Sequence, residues 1–282
     1  MASSLRQTPR RYSDLRLFAF GLAERVAQAL GGCRFYSRRF LSPPLVRREV
    51  ISRAGLPATL EGLRIALLSD LHAGPFLDSA SMSGVIETTL AARPDLVVFC
   101  GDFIAHRVEA GVLLAEVMAP LAQVPLGALA VFGNHDYRGR RESEIEESFA
   151  RTGWSFLRNR GQRLGELPLV VTGIEDPEEG RVLDIEAARE ALEPADLEVC
   201  LCHNPSTGPS LAREGCLAVL SGHSHGRQID LPFLRGLGPA HPGLRVELGS
   251  TTLITSRGLG VVGLPLRVGA PAEVVLIELS AG

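Results

Sequence analysis

"LRIALLSD", residues 63–70, decides the fold. The apolar run is short and stops at Ser69 and Asp70, as a buried strand does when its carboxyl end carries chemistry. The pattern recurs in "PDLVVFCGD" (94–102) and "GALAVFGNHD" (127–136), each ending in a polar cluster. Residues 79–92 and 111–122 between these strands have helical character, and the charged stretch 141–150 adds a third helix. This βαβαβα order predicts an α/β fold, a sheet covered by helices on both faces.

Further along, the strands shorten to 154–159, 167–176, 197–204 and 217–225, with helices over 184–192 and near 206–213. Beyond 226 the pattern is one of hairpins: "RQIDLPF" (227–233), "LRVELGSTTLITS" (244–256) and "AEVVLIEL" (272–279). The expected organisation is a single catalytic domain, 55–282, behind a basic amphipathic segment, 1–54.

The 282 residues are 45% apolar and 22% charged, an ordinary globular balance with ample length for a core. A net charge of −3 argues against a general nucleic-acid binder. The charge is unevenly spread: residues 1–50 carry +7 through ten arginines, and the remainder carries −10. Leu17, Phe18, Phe20, Leu22, Val26 and Leu30 are spaced as on an amphipathic helix. Glu24 and Arg25 interrupt the run, so it falls short of the ~20 apolar residues of a spanning helix. Three readings stay open for this segment: a helix packed on the domain, a peripheral anchor on an anionic membrane, or an export signal. Five cysteines without a CxxC pair read as reduced core residues of a reducing compartment.

The chemistry collects at the strand ends. Asp70, His72, Asp102, Asn134, His135, His203, His223 and His225 all lie there, taking five of the seven histidines. In α/β sheets, ligands gather at the carboxyl ends of strands. Nitrogen and oxygen donors without cysteine favour Mn²⁺, Fe²⁺ or Zn²⁺, and the donors are too many for one ion. Asp70 and His72 can grip one metal, "HSH" can place its imidazoles on two, and Asp102 can bridge both with its two oxygens. Two such ions would ionise a shared water and clamp an in-line displacement at phosphorus.

"DLH" (70–72), "GD" (101–102), "GNHD" (133–136), His203 and "GHSH" (222–225) together resemble the five blocks of the calcineurin-like metallophosphoesterases. The resemblance runs over about 60–280, and the ordered set is far more specific than any one block. It implies a β-sandwich flanked by helices, a four-layer αββα arrangement, and a dinuclear centre with Mn²⁺ as the first expectation. Asp70, His72, Asp102 and His225 would hold one ion; Asp102, Asn134, His203 and His223 would hold the other. His135 would bind the phosphate and protonate the leaving oxygen, with Asp136 orienting it. Asn134, His135 and Arg227 would meet the substrate.

"GNHDY" (133–137), "GHSHGRQIDLPF" (222–233) and "SRGLG" (256–260) are similar to a bacterial, often membrane-associated branch. The text around "GDFI" and "GHSHGRQIDLP" looks like a UDP-2,3-diacylglucosamine pyrophosphatase of lipid A synthesis. That resemblance implies attack of metal-bound hydroxide to give UMP and the acylated sugar 1-phosphate, at the cytoplasmic face of the inner membrane. Apolar residues near Leu231, Phe233, Leu234 and Leu237 are candidates for an acyl groove. Ser224 and Arg227 depart from the branch's usual Thr and Gly; Arg227 reads either as a contact to a second phosphate or as a solvated rim residue. The alternatives are a phosphodiesterase or phosphatase for soluble nucleotides or other phospholipid-type substrates, and a non-catalytic scaffold. The scaffold should lack metal ligands, and none is missing.

Overall fold

A computed structural model describes residues 22, 25–26, 29–41, 43–138, 140–179, 182–231 and 241–282. Among the described residues, twelve strands form two six-stranded sheets. The first takes the order β1-β12-β2-β3-β4-β5, from Leu45–Ser52 (β1), Glu273–Ser280 (β12), Arg64–Leu68 (β2), Leu96–Cys100 (β3), Ala128–Val131 (β4) and Trp154–Phe156 (β5). The second runs β10-β11-β9-β8-β7-β6, from Arg245–Leu248 (β10), Thr251–Thr255 (β11), Cys216–Ser221 (β9), Leu197–Leu201 (β8), Leu169–Gly173 (β7) and Arg160–Arg163 (β6).

The expectation of helices on both faces of one sheet is corrected, and the reason is topological. Strands β2, β3, β4 and β5 are sequential parallel neighbours. Right-handed crossovers that keep stepping in one direction put every connecting helix on the same face. The helices Ser83–Ala91, Val108–Met118 and Glu142–Ala150 accordingly share one core with that face. The other face is equally apolar and needs a different cover.

Strand β3 shows how the two faces divide. Val97 and Phe99 join the helices, while Leu96, Val98 and Cys100 join a second core with Val171, Val199, Leu201 and Leu220 of the other sheet. This period-two alternation makes both faces of a wholly buried strand useful. A third cluster, with Cys200, Val219, Leu211 and Ala188, packs short helices against the far side of the second sheet. The layers are αββα, as the family resemblance implies.

Three sequence expectations change. Strand β1 precedes the boundary drawn at residue 55, yet it pairs with β12 through all eight residues, so the sheet begins upstream. Its arginines concealed it: Arg47 lies along the sheet edge, bonded to Glu273 and to the Thr255 carbonyl. The polar strand β6, "RGQR", lacks the alternation that marks a strand and is visible only through its pairing with β7. Residues 227–231 form no strand and contribute only isolated bridges from Ile229 to Val268 and Gly269. Phe233, Leu234, Leu237 and residues 1–21 lie outside the described residues. All five cysteines are buried free thiols.

Phe99 is fully buried and stacks on Phe103 at 3.9 Å between ring centroids. Phe99→Ala should cost about 3–5 kcal/mol, the range for emptying a packed aromatic site, as measured by denaturant unfolding.

Candidate metal centre

The parallel strands of both sheets end at one edge, and their following loops interlock there. The Asp70 and His72 amides donate to the carbonyls of Gly101 and Asp102, and the Gly222 amide donates to the His203 carbonyl. The backbone turns sharply at these points. Asp70, His72, Asp102, His223 and His225 all have positive φ, between 46° and 66°. Each such residue costs about 1–3 kcal/mol unless its surroundings hold it in place.

Asp136 provides much of that hold. It is fully buried, and its carboxylate accepts from the amides of Asp102 (2.9 Å), Gly133 (2.9 Å) and Ile104 (3.2 Å). The expected bond from Asp136 to His135 is therefore corrected: Asp136 fixes the Asp102 and Gly133 loops. Glycine at 222 has a steric cause as well. A Cβ there would stand 2.4 Å from Asp70 Oδ2, so the small residue makes room for a carboxylate rather than for an ion.

The donor atoms fall into two sets. In the first, His72 Nε2 lies 2.9 Å from His225 Nε2 and 3.4 Å from Asp102 Oδ2, and His225 Nε2 lies 3.6 Å from Asp70 Oδ1. In the second, His203 Nε2 lies 3.2 Å from Asn134 Oδ1, 3.2 Å from His223 Nδ1 and 3.3 Å from Asp102 Oδ2. The sets match the residues assigned from the sequence, with one correction. Asp102 presents a single oxygen, Oδ2, to both sets, because Oδ1 accepts from the His135 amide at 2.8 Å.

These donors fit divalent cations. Ligands about 2.1 Å from an ion stand roughly 3.0–3.4 Å from one another, close to the spacing found here. The protonation pattern agrees. His203 Nδ1 lies 2.8 Å from the Cys100 carbonyl, which only accepts, so Nδ1 carries a proton in either charge state and the neutral ring would turn an Nε2 lone pair toward three other acceptors. Lone pairs converging in a buried space require positive charge.

The electrostatics point the same way. Burial alone would raise Asp102, but the imidazoles of His203, His135 and His72 outweigh it and hold the carboxyl well below the usual range. Burial lowers His72, and lowers His225 to about 4. Burial opposes protonation of His203 too, yet the Asp102 carboxylate overrides it and raises the pKa well above the usual value. A proton on His203 thus supplies the charge that a cation would bring.

Other side chains lock the donors. Glu178 Oε1 stands 3.3 Å from His223 Nε2 and accepts from Asn204 Nδ2 at 3.0 Å, leaving His223 Nδ1 for the second set. Arg267 is buried behind His225, with Nη2 3.5 Å from Nδ1, and donates to the carbonyls of Arg257, Ala270 and Gly260. Neither residue was identified from the sequence. The signal for Glu178 was the acidic run "IEDPEE" (174–179) at the end of β7, a parallel strand end left without an assigned donor.

His135 stacks edge-on against His72, with ring centroids 4.5 Å apart. Its Nδ1 lies 2.9 Å from the Ala105 carbonyl and 2.8 Å from Arg138 Nη1. The carbonyl needs a protonated Nδ1 and the guanidinium needs a lone pair, so the two contacts belong to different tautomers. Both occupy Nδ1 and leave Nε2 for a substrate. Burial holds the ring at about 3, neutral at pH 7. Arg227 is half-buried and stands 3.5 Å from Asp230 Oδ1, an ion pair at the rim.

Two outcomes follow from this geometry. Glu178→Gln keeps the shape and removes the charge behind His223; metal affinity measured by equilibrium dialysis should fall about 10–100-fold. His203 has a raised pKa, so it is protonated near neutrality, and only a neutral imidazole binds metal. Metal uptake at pH 7 should therefore release about one proton and weaken as pH falls, as titration calorimetry in buffers of different ionisation enthalpy would measure. His225, already neutral above about 4, should release none.

Comparison with known proteins places the chain. Residues 63–227 match the family model described as calcineurin-like phosphoesterase. The uncharacterized metallophosphoesterase YkuE of Bacillus subtilis (strain 168) is 28% identical over 278 residues, covering 93% of this chain and 95% of its own. An uncharacterized metallophosphoesterase of Aquifex aeolicus is 27% identical over 263 residues, 90% of this chain and 97% of its own. The transmembrane protein with metallophosphoesterase domain of Bos taurus is 30% identical over 262 residues, 85% of this chain and 58% of its own, so the chain spans little more than half of that relative. The chain belongs to the calcineurin-like phosphoesterase family and is, on that ground, a metal-dependent phosphoester hydrolase.

Proposed function

We propose that the centre holds two divalent ions and hydrolyses a phosphodiester or pyrophosphate bond in a lipid-linked substrate at an anionic membrane surface. The observation that carries the dinuclear reading is the sharing of Asp102 Oδ2 between two sets of donors. Divalent cations there would lower the pKa of water and neutralise charge on the phosphoryl oxygens.

The chain's own groups do the rest. Asp70 and His203 lie almost wholly buried at the base, while Asn134, His135 and His223 retain slight exposure and line the mouth. A phosphoryl group entering by this mouth meets the Asn134 amide and His135 Nε2. The neutral imidazole holds the leaving oxygen by a hydrogen bond when Nδ1 takes the Arg138 contact, the tautomer that protonates Nε2. Asp136 keeps Asp102 and the Gly133–His135 turn in register while charge develops.

The membrane part of the proposal rests on residues 1–50, with ten arginines and an amphipathic apolar pattern, and gives a peripheral location on the cytoplasmic face of the inner membrane. Among the described residues, no helix is long and apolar enough to cross a membrane. Mn²⁺ is the proposed metal, with Fe²⁺ and Zn²⁺ sharing the same donor preference. UDP-2,3-diacylglucosamine is the particular substrate proposed; soluble nucleotide diesters are the alternative.

The test is a substrate panel. Metal-loaded protein is incubated with UDP-2,3-diacylglucosamine, a phospholipid diester and a nucleotide diester, and the products are identified. Turnover confined to the nucleotide diester would reject the lipid-linked reading. Asp102→Ala removes the shared oxygen, so bound metal and turnover of any panel substrate should fall by more than about 100-fold, beyond the range of changes outside the ligand set. Retention of full activity and metal by that variant would reject the dinuclear centre.

A further inference from the structure

The segment 261–266, "VVGLPL", lies beside the centre and is not used by it. Val262, Leu264 and Leu266 are 44%, 59% and 40% exposed, a concentration of apolar surface that calls for a partner. The segment is fastened to the catalytic loops. Gln228, three residues after His225, accepts from the Val262 amide at 2.8 Å and donates to the carbonyls of Val262 (3.1 Å) and Leu264 (3.2 Å). At its start, the Leu259 and Gly260 amides donate to the carbonyls of Ser69 and Asp70.

Both ends of the segment are also held by Tyr36. The Tyr36 hydroxyl donates to the Leu259 carbonyl at 2.5 Å and accepts from Arg267 Nε at 2.9 Å. Tyr36 ends the short helix Gly32–Tyr36, whose next residue back, Phe35, is 55% exposed. Upstream, Leu30 (83%) and Val26 (51%) are also exposed, with the Leu30 amide bonded to the Val26 carbonyl.

The charge around this surface is mainly basic; the neighbouring carboxylates are Asp78 beside Cys33, and Asp230 beside Val268, itself paired with Arg227. Residues 25–48 contain six arginines and no carboxylate, and Arg25, Arg34, Arg38 and Arg39 are exposed. Residues 256–272 also lack a carboxylate. A second copy of the same face would bring arginine against arginine. Apolar side chains ringed by arginine complement an anionic bilayer, where the apolar groups enter the acyl boundary and the guanidinium groups meet phosphates.

We infer that segment 261–266 and the helix Gly32–Tyr36, with the exposed arginines and apolar side chains around it, form one bilayer-docking surface that seats the metal centre against anionic lipid. The inference rests on the lipid-linked reading and deepens it: the surface is built onto the catalytic loops through Gln228 and Tyr36, so docking fixes the orientation of the mouth. An appended anchor would only raise the local concentration.

The test uses the full metal-loaded chain, sedimented with vesicles of phosphatidylglycerol and, separately, of phosphatidylcholine. The variants are the double substitutions Leu264→Asp with Leu266→Asp, and Arg38→Glu with Arg39→Glu, all on exposed side chains. The unaltered protein should bind only the anionic vesicles, and each variant should lose about tenfold or more of that binding. Both should keep the unaltered melting temperature and turnover of a small soluble diester. Unchanged vesicle binding by the leucine variant overturns the proposal, as does no binding of anionic vesicles by the unaltered protein. A change in oligomeric state, measured by sedimentation velocity and unaccompanied by vesicle binding, assigns the surface to self-association instead. Vesicle binding without turnover of any diester leaves the docking surface standing and rejects the hydrolytic reading, so the two failures are distinguishable.

Discussion

Everything at the centre depends on how one carboxylate is divided. Asp102 gives Oδ1 to the His135 amide and turns Oδ2 to His72 on one side and His203 on the other. It holds this position because its own amide is bonded to Asp136 and its backbone adopts a positive φ of 61°. A bidentate arrangement, one oxygen for each ion, would need the His135 amide to find another acceptor. The turn bearing Asn134 and His135 is therefore positioned by the same group that joins the donor sets, so His135 and both sets share one support.

The strained backbone at five donor positions belongs to the same logic. Aspartate and histidine tolerate the left-handed region better than branched residues do, but they still carry a cost there. The offset comes from inter-loop amide bonds and from Asp136, whose three backbone donors span two loops. Burial does a second service by keeping His72, His135 and His225 neutral, while the Asp102 charge reserves protonation for His203. Neighbouring imidazoles thus reach neutral pH in different states without any change of residue type.

Legibility in the sequence followed the physics of each feature. The strands that carry ligands were readable because burial on both faces forces an unbroken apolar run, and the donor atoms were readable because such runs end in residues with no structural reason to be there. Strand β1 was not readable, since an edge strand tolerates arginine and Arg47 pays for its place by bonding Glu273 across the sheet. The second sheet's role as cover for the first was invisible to local pattern; it depends on the hand of successive crossovers. The part played by Asp136 was also hidden, because adjacency to His135 suggests a side-chain partner whereas the fold brings three backbone amides to it. Glu178 and Arg267 act from loops whose proximity to the centre only the packed sandwich creates.

The two sheets have separate strand orders, and at the open edge of their shared core they contribute donor side chains to the same cluster. Asp70, His72, Asp102 and Asn134 follow strands of the first sheet; His203, His223 and His225 follow strands of the second. Each donor set includes residues from both halves. A cation bound there would act as a rivet through the sandwich: its donors come from both sheets, so the free energy of loading would also be free energy of sheet association. A metal held there would add its binding free energy to the shared apolar core that already joins the two halves of the domain.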